Sequence, residues 1–286
     1  MRVNTIENYI ILCYNLPKIT NNYFKNNFIE QDYMKMKKTV FICFAAEDRY
    51  DIAEPIVYHL KNYGIEVWYD RQSLLLGDNR KQKNLIEGAS QCNYAILILS
   101  KNTLDSTCAM EEIGIIKERY ITENLIVFPV LYELSPEDIP CEIQWVKELI
   151  FKEINRVSGT RQICNHSACK ITGDILCKLK YLNFKAIINI EIDGIPNQIN
   201  FLLNAYQQID AQNLNARIAL LYATYLVITA LQLKCNNYNY KLVSKICERL
   251  FSETRLNLNI DYREVWLLEN SISILINEVY PIKNLK

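Results

Sequence analysis

Val40-Phe41-Ile42-Cys43-Phe44, followed by Ala45-Ala46-Glu47-Asp48, is the stretch from which the fold can be read. Five consecutive apolar residues without alternation predict a strand covered on both faces, as in a parallel sheet. The pattern recurs downstream. Ile65 to Tyr69, Tyr94 to Leu99 and Leu125 to Leu131 read as further strands. Between them Asp51 to Tyr63, Lys81 to Ser90 and Ser106 to Tyr120 carry helix-period apolar positions, and Gly64 stops the first of these. Strands alternating with helices predict βαβ units and an α/β fold. In open sheets of this kind ligands sit beyond the carboxyl ends of the strands, so the loops after Phe44, Tyr69 and Leu99 are the ones to read for chemistry.

Outward from this core the signals weaken and then change class. Residues 1–36 are rich in Asn, Tyr and Ile without clear periodicity and read as an N-terminal arm. After Leu134 come a loop marked by Pro136 and Pro140, an amphipathic piece from Cys141 to Ile154, and a helix from Thr172 to Tyr181 that closes an α/β domain of residues 37–185. From about residue 195 strand signals nearly vanish. Gln198 to Gln208, Ala216 to Leu233, Lys241 to Phe251 and Tyr262 to Tyr280 predict a small all-α domain over 190–286. Ile218 to Leu233 is uncharged but shorter than the ~20 residues of a spanning helix, and it reads as a buried helix rather than a membrane segment.

Composition narrows the function classes. The chain has 286 residues, enough for two domains, and 50% of them are hydrophobic. Lys and Arg (32) balance Asp and Glu (32), so no general positive field favours nucleic acid. The 10 cysteines are scattered, several inside apolar runs, as in a reduced cytoplasmic protein. Met1 to Glu7 lacks the order of a signal peptide. Cys164, His166, Cys169 and Cys177 match none of the usual zinc spacings, so no metal is expected. His59 has no Ser or Cys partner motif for a hydrolase triad.

The loops carry a resemblance. Val40 to Asp48, then Val67-Trp68-Tyr69-Asp70 leading into Leu74-Leu75-Leu76-Gly77-Asp78, then Asn93 to Leu104, stand in the order of the motifs of bacterial TIR (Toll/interleukin-1 receptor) domains. Cys43-Phe44 replaces the more usual Ser-Tyr. The resemblance implies a flavodoxin-like parallel sheet, and for many members cleavage of NAD+ at the nicotinamide–ribose bond by a glutamate in the helix after the third strand. Ser106-Thr107-Cys108-Ala109-Met110-Glu111-Glu112-Ile113 supplies that arrangement. Glu112 is the preferred carboxylate because Ile113 then fills the apolar position that follows; a register shifted by one would nominate Glu111. The aromatic residue common at position 108 is a cysteine here. Phe44, Asp48, Trp68, Asp70 and Cys108 are the expected substrate-binding residues.

Each of these residues also has a plainer reading. Glu111 and Glu112 could be solvated charges near a helix N-terminus, Phe44 and Trp68 core residues at strand ends, and Asp70 and Gly77-Asp78 turn formers. The reaction nevertheless suits one carboxylate. Nicotinamide leaves neutral and needs no general acid, while the ribose develops oxocarbenium character that a fixed negative charge stabilises. The resemblance therefore implies an NAD+ glycohydrolase, with NAD+ as substrate rather than cofactor and with possible cyclisation of the ADP-ribose product, acting in bacterial antiphage defence. It implies activation by self-association, the loop Asp70 to Asp78 packing on a neighbour and the helical region sensing or oligomerising. A non-catalytic adaptor working through contacts between such domains is the alternative.

Overall fold

A computed structural model describes residues 39–79, 81–190, 192, 194–231, 235, 237–254 and 260–280. The expected arm of residues 1–36 lies outside them. Among the described residues five strands form one sheet in the order β2-β1-β3-β4-β5: β1 Thr39–Cys43, β2 Glu66–Trp68, β3 Tyr94–Leu99, β4 Ile126–Tyr132 and β5 Lys152–Ile154. All four pairings are parallel, with Phe41 opposite both Trp68 and Ala95. Every residue of β3 is buried, which the two-sided apolar run Tyr-Ala-Ile-Leu-Ile-Leu requires. The direction of strand addition reverses between β1 and β3, and that switch point is where a crevice opens at the carboxyl ends of such sheets.

Alternate residues of the strands feed two cores. On one face Val40, Ile42, Ile96 and Ile98 pack toward α1 (Glu54–Asn62) and α5 (Arg161–Lys178). On the other, Phe41, Cys43, Ala95, Leu97 and Leu99 pack with Ala109, Ile113 and Ile116. The short helices α2 (Asp70–Ser73) and α3 (Lys101–Asp105) follow β2 and β3, and α4 (Thr107–Glu123) carries the second face. Ser100 caps α3 by accepting from the Thr103 N–H, Ser106 caps α4 by accepting from the Ala109 N–H, and Asn124 ends α4 at φ 55°. Ser106 is thus the N-cap of the helix expected to begin there. The segment Lys81–Ala89 is helical as expected but with π-type winding, a form concentrated at functional sites.

The helical remainder comprises α6 (Phe184–Ile187), α7 (Asn197–Gln207), α8 (Leu214–Leu231), α9 (Tyr238–Thr254) and α10 (Tyr262–Val279). Residues Lys38–Lys286 form one compact unit. The first core runs without a break from the sheet through Ile171 and Ile175 of α5 into Ile272, Leu275 and Ile276 of α10. The boundary expected between 185 and 190 is thus a change of secondary-structure class within continuous packing.

Two helices depart from expectation. α5 begins at Arg161 rather than at Thr172, so Cys164, His166 and Cys169 lie on it; the thiols of Cys164 and Cys169 face the carbonyl oxygens of Ile56 and Arg263 at 3.8 and 3.4 Å. α8 is not the buried helix its apolarity predicts. It is long and apolar enough to cross a membrane, yet only 28% of it is buried. It packs through Ile218, Leu221, Thr224, Tyr225 and Ile228 and leaves Leu226 and Leu231 exposed. The central helix is α10, where Val265 to Asn277 is almost entirely buried because α5, α8 and α9 pack against it. Its polar residues find partners inside: Asn270 donates to Thr172 Oγ1 (3.2 Å), and Asn277 exchanges hydrogen bonds with the Leu182 backbone at 3.2 and 3.0 Å.

Candidate active site

Glu112 sits in the second turn of α4, on the face turned to the sheet, and is only 5% exposed. A buried carboxylate needs hydrogen bonds, and the π-wound segment supplies one. Asn84 Nδ2 donates to Glu112 Oε1 at 2.5 Å, and Asn84 Oδ1 accepts from Trp68 Nε1 at 3.1 Å. Cys43, the last residue of β1, lies alongside. Burial raises its thiol pKa well above the usual value, and the negative charge of Glu112 raises it further, so the thiol stays protonated. Cys43 Sγ is 3.6 Å from the carbonyl oxygen of Ala109, joining the end of β1 to the turn before Glu112. The carboxylate is thereby set beside the ends of β1 and β2.

Glu111 points elsewhere. It pairs with Lys81 at 2.9 Å across an exposed surface, with side chains 37% and 74% exposed. Adjacent glutamates on a helix face about 100° apart, and here that rotation separates them: Glu112 is buried toward the sheet and Glu111 lies on the outer surface. Cys108, half-buried in the first turn of α4, lies on the Lys81 side of the helix.

The other expected residues form two further groups. Phe44 stacks on Tyr69 (5.8 Å), and the Arg49 guanidinium lies over both rings at 5.5 and 5.8 Å while pairing with Asp70 at 3.0 Å. Tyr69 in turn donates to Glu54, and burial together with that bond pushes its pKa up to about 12. Phe44 packs on the α1 side of the sheet and Trp68 on the α4 side. Asp48, the acidic residue of the first motif, is buried. It accepts from Ser100 Oγ, Asn102 Nδ2 (2.7 Å) and Thr103 Oγ1 (3.4 Å), tying the loop after β1 to the loop after β3.

Sequence reading did not single out Asn84, Arg49, Tyr69 or Gly88. Asn84 is a polar residue on the inward side of the Lys81 to Ser90 pattern, the one signal that could have drawn notice. Among the described residues no group of three or more His, Cys, Asp or Glu side chains is placed to hold a metal ion.

Comparison with known proteins identifies the α/β part of the chain. The TIR domain profile matches residues 40–159, a span that contains all five strands from Val40 onward and the Glu112 helix. Residues 40–159 are a TIR domain. Over 114 residues the chain is 30% identical to the NAD(+) hydrolase TcpC of Escherichia coli, covering 40% of this chain and 37% of that protein. It is 29% identical to the 2' cyclic ADP-D-ribose synthase BtTIR of Bacteroides thetaiotaomicron (35% of this chain, 34% of that one). To the NAD(+) hydrolase TcpA of a Theionarchaea archaeon it is 28% identical (35% and 30%). The matched region is thus about a third of each relative's length and is confined to the TIR domain.

Proposed function

We propose that the TIR domain cleaves NAD+ between nicotinamide and ribose, with Glu112 as the carboxylate that stabilises the oxocarbenium character of the ribose. The observation that carries this reading is the placement of Glu112. It is the glutamate turned toward the sheet beside the ends of β1 and β2, with the Asn84 amide donating to its carboxylate. Nicotinamide departs neutral, and water or a ribose hydroxyl captures the anomeric carbon with loss of a proton, giving ADP-ribose or a cyclic product. Relatives named for each outcome support the enzyme class without choosing between them. Arg49, stacked on Phe44 and Tyr69, is a cation at the strand ends suited to a substrate phosphate.

Glu112 is nearly covered in this conformation, so substrate access requires the neighbouring segment to move. The loop after β2, with Leu75 and Leu76 exposed, is the element we assign to self-association and activation. The helical remainder, fused to the TIR domain through one core, is the sensing or oligomerising part. The same proposal places the protein in the cytoplasm as an effector of bacterial defence. A non-catalytic adaptor would need the loop and not the carboxylate.

Product analysis after incubation of concentrated protein with NAD+ tests the reading. Nicotinamide release, abolished by Glu112→Gln and largely retained in Glu111→Gln, is the expected result. Loss of activity through Glu111→Gln alone would move the catalytic role to the neighbouring residue, and equal activity in all three proteins would remove it from both.

A further inference from the structure

The Asn84 side chain is buried between two groups that fix its orientation. The Trp68 indole can only donate, so the atom facing it at 3.1 Å is the carboxamide oxygen. The Nδ2 amino group is then committed to Glu112 Oε1, 2.5 Å away. The chain of donation therefore has one direction, Trp68 to Asn84 to Glu112. A donor to a carboxylate favours its ionised form and holds its plane. Gly88, one turn along the π-wound segment, leaves the space in which the indole lies, since a Cβ there would stand 2.5 Å from Trp68 Nε1. Three features of the sequence, otherwise unconnected, converge on one carboxylate oxygen.

We propose that Asn84 is the positioning residue of Glu112, setting the orientation and the ionisation of that carboxylate, with Trp68 fixing the amide. The proposal rests on the reading of Glu112 as the catalytic group for its kinetic consequences, though not for its electrostatic ones. Asn84 acts through Glu112 and carries out no bond-breaking itself. Because it belongs to the segment that follows the exposed loop after β2, it also connects movement of that loop to the state of the carboxylate.

Asn84→Asp is nearly isosteric and keeps an acceptor for Trp68, but sets a second carboxylate against Glu112, and two carboxylates in contact share a proton. Cys43 and Glu111 do not supply this effect. Cys43 from β1 stays protonated, and on α4 Glu111 is paired with Lys81 on the outer surface. In full-length protein, Asn84→Asp should lower kcat for nicotinamide release about tenfold or more at neutral pH, leave KM within about twofold, and move the acid limb of the kcat profile to higher pH. Asn84→Ala should lower kcat and move the limb in the same direction by a smaller step, and Trp68→Phe should do so more weakly still. A purely structural Asn84 would reduce thermal stability and leave kcat and the limb where they are, which overturns the proposal. A carboxyl carbon-13 titration of labelled Glu, with Glu112 assigned by its loss in Glu112→Gln, gives a readout free of turnover. A Glu112 titration displaced upward in Asn84→Asp supports the proposal even if wild-type protein releases no nicotinamide, in which case the enzyme reading alone fails. An unmoved titration overturns the proposal whatever the activity.

Discussion

Trp68 lies directly on Gly88: a Cβ added to that glycine would stand 2.5 Å from the indole Nε1, and 2.9 Å from ring carbons of Trp68 and Phe41. Neither ring can retreat easily, since Phe41 is buried in β1 and Trp68 is held by Asn84. Gly88→Ala should therefore cost about 1–3 kcal/mol in chemical denaturation and alter Trp fluorescence. It should also weaken nicotinamide release, because displacing the indole releases the Asn84 amide. A variant as stable as wild type with unchanged emission would show that the rings repack freely.

Much of this arrangement is legible in the sequence, and the reason is periodicity. The runs at Val40, Tyr94 and Leu125 are apolar on both faces, a pattern that only a doubly covered strand explains, and each lies within two residues of its observed strand. Glu112 could be favoured over Glu111 by the apolar Ile113 beside it, and helix rotation puts the two glutamates on different faces. Asn84 was not legible, because a polar residue in an amphipathic segment says nothing of its partner until Trp68 and Glu112 are brought to it from 16 residues before and 28 after. The exposed face of α8 was illegible for a related reason. Apolarity all round predicts burial, and only the tertiary arrangement shows that α10 takes the central place instead.

Asp48 is a buried carboxylate whose acceptor capacity is taken up by Ser100, Asn102 and Thr103. Hydrogen bonds to a charged group contribute about 1.5–3 kcal/mol each, so Asp48→Ala should destabilise the domain by about 3 kcal/mol or more in urea. Loss of the tie between the loops after β1 and β3 should raise KM through disorder rather than through a lost substrate contact. A cost below about 1 kcal/mol would free Asp48 for direct binding of substrate.

Glu264 opens α10 almost fully buried and pairs with Arg161 of α5 at 2.7 Å. Burial raises its pKa, and Arg161 offsets only part of that rise. With its folded-state pKa above the unfolded value, Glu264 contributes stability that is fully present below the ordinary 4.5 and lost as pH rises through the raised value. Glu269 has the same sign, whereas His59 and His166, lowered by burial, contribute above 6.5 and lose it as pH falls. Comparing Glu264→Gln with wild type isolates the one group. The stability of the variant relative to wild type should rise between pH 4.5 and neutrality, measured by urea melts. A difference independent of pH would mean that the Glu264 carboxyl titrates alike in the folded and unfolded chain.

Leu75 and Leu76 are 77% and 109% exposed in the loop after β2, while the backbone there is held by the Asp78 carboxylate accepting from the Leu75 N–H at 2.8 Å. Two adjacent leucines presented to water gain nothing for the isolated chain, so replacing them should not affect its stability by more than about 0.5 kcal/mol. If the loop packs on a neighbouring copy, as the proposed activation requires, the double variant Leu75→Asp, Leu76→Asp should behave differently from wild type only when molecules meet. Light scattering should show self-association lost or shifted to at least about tenfold higher concentration, because each buried leucine contributes about 1.5–3 kcal/mol at an interface. Nicotinamide release per molecule should then stop rising with protein concentration. Assembly and activity identical to wild type would exclude this loop as the contact and direct the search to the exposed face of α8, where Leu226 and Leu231 are the next apolar side chains open to a partner.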